Sequence, residues 1–244
     1  MSRLEDLLRF YGLLDRLQQR AGGTRTLANF GTYRDWPQRG VYLFFEPSEV
    51  RQESGAGPRV VRVGTHALRA GSRSTLGQRL GQHRGPSSGG GNHRGSIFRL
   101  LIGQALIAAG KAPLCPSWGV KSDATKAAAA LGIDREALNK AEAPVEQAVT
   151  RYIGAMPFLW LDINDDPGPQ SLRGFIERNG IALLSNFDRP ALDPPSLGWL
   201  GQGSDRSLVR ESGLWNQRHV DETYDSSFLD VLEMAVDGTG RQAG

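Results

Sequence analysis

Two short apolar runs constrain this chain more than any other feature. "RGVYLFFEP" and "GPRVVRVGTH" are rich in Val, Tyr and Phe and are punctuated by Gly and Pro. Branched and aromatic residues in short bounded runs read as buried strands. The linker "SEVRQESGAG" is polar, so the two strands pair as an antiparallel hairpin. A third run of the same kind, "MPFLWLDI", reads as a third strand.

The remainder reads mainly as helix. "MSRLEDLLRFYGLLDRLQQR" places Leu4, Leu7, Leu8, Tyr11, Leu14 and Leu17 at three- and four-residue intervals, the stripe of an amphipathic helix, and "AGG" ends it. A helix from about Ser74 to His83 follows the second strand, then a glycine-rich loop, then the helical segment "SIFRLLIGQALIAAG". "KSDATKAAAALG", "IDREALNKA" and "PVEQAVTRYIGA" read as three short helices. "SLRGFIERNGIALLSNF" reads as a helix with Leu172, Ile176 and Leu183 inward, and "SSFLDVLEMAV" as the last helix. The expected fold class is α+β: a small three-stranded, largely antiparallel sheet flanked by helices. An N-terminal helical extension (1–39), a core (40–190) and a loop-rich C-terminal extension (191–244) divide the chain.

Composition excludes several classes. With 39% hydrophobic and 23% charged residues over 244 positions, the chain can bury a real core. Cys115 is the one cysteine, which rules out an internal disulfide framework and a cysteine-rich zinc site and makes a reducing cytoplasm the expected compartment. The charged N-terminal pattern lacks the continuous apolar stretch of a secretory signal or membrane span, so no membrane partner is expected. No Gly-x-Ser-x-Gly, His-Glu-x-x-His or Gly-Lys-Ser/Thr signature is present.

Charge is distributed unevenly. From Ser54 to Ser122 there is no acid, yet the stretch holds ten Arg and Lys and three of the four histidines, against a net charge of +3 for the whole chain. Such a field points to a polyanion, phosphate being the commonest; the plainer alternative is a solvated basic surface. Within it, "LGQRLGQHRG" stacks Arg79 and His83 on one helix face. The glycine-rich loop is flanked by Arg84, His93 and Arg94 and would let backbone approach a nucleic-acid strand. Trp199, Trp215 and His219 in the tail suit either base stacking or packing.

Taken in order, the "GVY" of the first strand, the "RVG" of the second, the "LGQRLGQHR" helix, and a later strand and helix carrying Glu177 and ending near Asn186 resemble the GIY-YIG nuclease superfamily. The similarity runs from about Gly40 to Asn186 and extends to bacterial GIY-YIG domain proteins of the restriction-endonuclease-like kind. It implies a metal-dependent endonuclease that hydrolyses DNA phosphodiesters in restriction, repair or defence. By match, Tyr42 activates the attacking water or serves as base, and Arg79 holds the scissile phosphate through its planar fork. His83 matches a histidine of restriction-type members. Glu177 is the sole carboxylate for Mg²⁺ or Mn²⁺, with Glu146 second in line, and Asn186 closes the core. Arg62, His66, Arg84, His93 and Arg94 are expected to contact nucleic acid, DNA first.

Read without the resemblance, Tyr42 is a core tyrosine and Glu177 a surface glutamate paired with Arg173. Two features depart from the family pattern. Arg62 stands where the second motif usually has tyrosine, and arginine cannot act as a base. The interval from Glu177 to Asn186 is also short. A catalytically inactive nucleic-acid-binding module on the same fold is the alternative function. A basic surface for an acidic protein is the third. Cutting both strands of a palindrome would favour a homodimer by symmetry.

Overall fold

The hairpin expected from the two apolar runs forms the middle of the sheet. In the computed structural model, which describes residues 2–239, the chain runs α1 (Arg3–Arg20), β1 (Arg25–Thr26), β2 (Gly40–Val50), β3 (Pro58–Gly64), α2 (Leu76–Arg84), α3 (Ile97–Ala108), α4 (Ala124–Leu131), α5 (Arg135–Ala155), β4 (Pro157–Asp162), α6 (Leu172–Leu184), α7 (Ser207–Ser212) and α8 (Phe228–Gly238). The sheet order is β1-β4-β2-β3 and every pairing is antiparallel. The expected three strands are therefore joined by a fourth. It is the two-residue β1, too short for a pattern to reveal.

Alternation along β2 divides the core into two layers, because successive strand side chains point to opposite faces. Tyr42 and Phe44 pack with Leu76, Leu80, Phe98 and Val149 from α2, α3 and α5. Val41, Leu43 and Phe45 pack with residues of α1, α6 and α8, among them Leu14, Ile176 and Leu232. Segments 1–39, 40–190 and 191–244 all contribute to this second layer. Helix α1 begins on a capping box in which Glu5 N–H donates to Ser2 Oγ (3.3 Å) and Ser2 N–H to Glu5 Oε2 (2.6 Å). Arg9 and Arg16 then clasp Asp230, Glu233 and Asp237 on α8.

A register shift in the hairpin decides which β3 residues surround Tyr42. Phe44 pairs with Arg62 but Phe45 with Val60, so Val61 is an extra residue. The bulge sets Arg62 opposite Phe44, on the same face as Tyr42, with its guanidinium over the Phe98 ring. Gly64 then falls opposite Tyr42, and a Cβ there would lie 2.5 Å from the tyrosine hydroxyl, so only glycine leaves room for the ring.

The outer edge of β3 is covered by the C-terminal extension. Trp215 N–H donates to Val61 O (2.7 Å), and the Asn216 side chain accepts from Val63 N–H and donates to Val63 O. Trp199 and Trp215 are buried, and both indole N–H groups donate to Glu46, as does the Tyr152 hydroxyl. The two tryptophans are packing anchors.

Other expectations change on contact with the tertiary structure. Leu8 (48% exposed) and Leu172 (47%) face outward, while Phe10 and Arg173 fill the inward places. The segments "IDREALNKA" and "PVEQAVTRYIGA" form one helix, α5, which continues through Pro144 because Leu138, Val145, Val149 and Ile153 are buried along it. Helix α7 lies in the stretch read as loop.

Candidate active site

One end of the sheet gathers side chains from four elements. Tyr42 comes from β2, Arg62 from β3, Arg79 and His83 from α2, and Glu177 from α6. The Tyr42 hydroxyl and His83 Nε2 are 2.8 Å apart, and His83 Nδ1 lies 2.8 Å from Ser96 Oγ, which also N-caps α3. Burial holds His83 well below the ordinary imidazole value, and the neighbouring charges of Arg79, Arg62 and Arg99 push the same way. His83 is therefore neutral. A neutral ring donates from one nitrogen and accepts at the other, so it links Tyr42 and Ser96 as one ordered chain.

Arg62 lies beside the Tyr42 hydroxyl and near Arg79 and Glu177. It donates to Trp215 O, and its Nε is buried without a partner. Arg79 is half-buried and donates to Gln82 Oε1 (2.8 Å) and Gly95 O (3.3 Å). Neither arginine has a salt bridge among the described residues, although both sit in the electrostatic reach of Glu177.

Glu177 is placed by backbone. Its Oε1 accepts from Thr65 N–H (3.0 Å), and the Thr65 hydroxyl donates to Gly40 O (2.8 Å), so the carboxylate sits over the junction of β2 and β3. Burial raises its pKa; the Thr65 N–H, Arg62, His219 and Arg79 oppose that rise. Oε2 has no hydrogen-bond partner among the described residues. Among those residues no group of three or more His, Cys, Asp or Glu could hold a metal ion. That donor set fits a hard cation that keeps most of its water and takes one protein carboxylate, and it does not fit a multi-ligand zinc-type site. The surface-glutamate reading fails on one point: Arg173 pairs with Asp165, not with Glu177.

Exposure divides the cluster. Tyr42 and His83 are fully enclosed and Arg62 nearly so (5%), while Arg79 and Glu177 are only partly covered. A water therefore has no opening to the Tyr42 hydroxyl in this structure.

The remaining expected residues lie elsewhere or are engaged. Asn186 accepts from Arg3 Nη2 (3.0 Å) and Leu192 N–H (2.9 Å), tying α1 to the tail, and none of its partners belongs to the cluster. His66 donates from Nδ1 to Ser74 O (3.1 Å), and burial with Arg173 alongside lowers its pKa to about 4. Arg84 lies half-buried over Phe30. His93 is buried between Trp118 and Glu146, and Arg94 forks onto Glu142. Both are committed to the protein's own interior, because their counter-charges are acids from outside the acid-free stretch. Arg99 and Arg59 are neutralised likewise, by Glu146 and Glu49. Glu146, second in line as a metal carboxylate, has both oxygens occupied by His93 and Arg99.

Two residues enter that sequence reasoning did not place here. Thr65 positions Glu177 through its backbone, which leaves no mark on side-chain identity. His219 reaches the neighbourhood of Glu177 from the C-terminal extension, 42 positions away in sequence. An apolar cavity of about 710 Å³, lined by residues including Trp160, Leu172 and Met234, contains none of the cluster. Of the cluster, only Arg79 and Glu177 reach the surface.

A family model described as GIY-YIG domain matches residues 1–242. Neither the curated proteins nor the solved structures include a match. No described helix is long and apolar enough to cross a membrane.

Proposed function

From the premise that this chain belongs to the GIY-YIG family, a family of nuclease-type domains that act on nucleic acid, we propose that it is a metal-assisted endonuclease that hydrolyses DNA phosphodiesters. The observation that carries the reading is the convergence of Arg62, Arg79 and Glu177. Among the described residues neither guanidinium has a salt bridge and Glu177 keeps one oxygen free, so a phosphodiester bridged to a divalent cation would meet Arg79 and Glu177 at the surface, with the charge of Arg62 just behind them.

Each residue has a physical task in this reading. Arg79 binds the non-bridging phosphate oxygens, for which its planar fork offers two donors at once, and the enclosed Arg62 adds its positive field against the charge that grows there as water attacks. Glu177 would hold Mg²⁺ or Mn²⁺, which supplies Lewis-acid polarisation of the phosphate when bound. The chain Tyr42–His83–Ser96 sits beneath Arg62 and fixes its place. Neutral His83 adds no further positive charge beside three arginines. The arginine in place of the usual second-motif tyrosine thus adds a buried positive charge beside the phosphate site and removes a proton-handling group.

Incubating plasmid and single-stranded DNA with the protein, with Mg²⁺ or with EDTA, tests the reading. Nicking that requires the metal is the expected result. Retention of DNA without cutting under every condition would favour the inactive binding module instead. That second reading has one observation behind it, the enclosure of Tyr42 and His83.

A further inference from the structure

Hydrolysis by water needs a proton acceptor, and the five clustered side chains lack one. Tyr42 and His83 are sealed. Arg62 and Arg79 cannot accept a proton, Glu177 is given to the cation, and the free nitrogen of nearby His66 is buried without a partner.

The C-terminal extension brings another base to the same place. It is anchored on both sides of Glu177. At one end the Asn216 side chain grips Val63 N–H (3.2 Å) and C=O (2.8 Å), two residues before the Thr65 N–H that holds Glu177. At the other end Glu222 accepts from Arg178, the residue after Glu177 on α6, while its backbone carbonyl accepts from Arg189 (3.0 Å). Ser185 Oγ donates to Val220 O (2.6 Å), and Val220 is buried. His219 lies between these anchors, on the stretch that passes from the end of β3 to α6.

Its local state suits the task. His219 has φ 65°, in the left-handed region that non-glycine residues enter only where the surroundings hold them. Its Nδ1 is 2.8 Å from Glu222 Oε1. A carboxylate only accepts, so Nδ1 carries the hydrogen and Nε2 of the neutral ring keeps its lone pair. Nε2 has no partner among the described residues, and the side chain is 29% exposed.

Resting on the nuclease reading, we propose that His219 is the catalytic proton acceptor of this site and that Glu222 is its positioning residue. As the water oxygen forms its bond to phosphorus, a water proton passes to His219 Nε2. The bond from phosphorus to the bridging ester oxygen breaks, its electron pair leaves with that oxygen, and the oxygen takes a proton from solvent. The imidazolium is stabilised by Glu222 until it returns its proton to bulk water.

Plasmid nicking with Mg²⁺, DNA retention and thermal unfolding are measured for the wild type, His219→Ala, His219→Asn and Glu222→Gln. General-base removal typically costs about a hundredfold or more. His219→Ala is expected to lose that much cleavage with DNA retention unchanged, and added imidazole to restore part of it. Asparagine tolerates the left-handed backbone and can still donate to Glu222, so His219→Asn keeps the strap but not the base, and is expected to remain slow. Glu222→Gln is expected to lose less. His219→Ala cutting at the wild-type rate, or His219→Asn recovering that rate, overturns the proposal while leaving the nuclease reading in place. A wild-type chain that holds DNA but never cuts it overturns the nuclease reading, and the proton acceptor with it.

Discussion

Two carboxylates in this molecule are surrounded by the same residue types and come to opposite ends. Glu146 meets His93 and Arg99: Oε1 accepts from His93 N–H (2.6 Å) and from Nδ1 (2.9 Å), and Oε2 from Arg99 Nε (3.0 Å) and Nη2 (2.5 Å). Burial works against its ionisation, but His93 and Arg99 outweigh that and hold Glu146 below the usual carboxylate range. Arg99 also donates to His83 O and Gly90 O, so this closed site ties the glycine-rich loop to the end of α2. Glu177 has Arg62, Arg79 and His219 within electrostatic reach, yet among the described residues its carboxylate accepts one hydrogen bond, and its pKa is raised. A closed set of bonds builds structure. An open one, with cations held near but not joined to the carboxylate, leaves room for a ligand that completes it.

The contrast can be tested from both sides, beginning with the closed site. Removing one partner of a buried ion pair typically costs about 3–5 kcal/mol, because the other charge stays buried alone. Glu146→Ala should lower stability by that amount in urea unfolding; a near-neutral result would mean that the site does not hold the fold. At the open site Glu177→Gln and Arg79→Ala should instead leave the urea midpoint close to wild type. Nicking should fall by roughly a hundred- to a thousandfold, about 3–4 kcal/mol of barrier. Equal loss of stability at both carboxylates would erase the distinction.

Salt dependence separates the arginines in the same way. A cation that neutralises one phosphate contributes about one unit to the slope of log K against log salt. Arg79→Ala should reduce that slope by about 1 in a DNA-retention titration, while Arg94→Ala, whose charge is matched by Glu142, should leave it unchanged. The smallest effect concerns pH. The Glu177 carboxyl is raised in the fold, so the stability it contributes is complete below the unfolded value of about 4.3 and is lost as pH rises through the folded one. Glu177→Gln should therefore melt slightly above wild type at neutral pH, with the gap closing as pH approaches about 4. A gap independent of pH would show that the carboxyl is not strained by burial.

The hairpin, the order of elements and most helices were legible in the sequence because each rests on a local pattern: a short branched and aromatic run bounded by Gly and Pro in "RGVYLFFEP", and apolar residues at three- and four-residue intervals in α1. What escaped was decided by neighbours distant in the chain. Leu172 and Arg173 could not be sorted into outside and inside, since Arg173 is buried on account of Asp165 and the backbone carbonyls it meets. The join across Pro144 depended on a common buried face, and α7 on packing against the tail. Among candidate site residues, Tyr42, Arg79, His83 and Glu177 are brought together, whereas His93, Arg94 and Asn186 are used in holding the fold.

By itself the sequence determined that this chain would build an antiparallel hairpin among helices and that the stretch from Ser54 to Ser122 would carry a surplus of positive charge. Only the tertiary structure decided which of those charges are spent internally. Glu49, Glu142 and Glu146 reach into the basic stretch and neutralise Arg59, Arg94 and Arg99, while among the described residues Arg62 and Arg79 meet no such partner. Ion pairing acts over a few ångströms of space and is indifferent to separation along the chain, so no count of residues in a segment can show where a charge is left over.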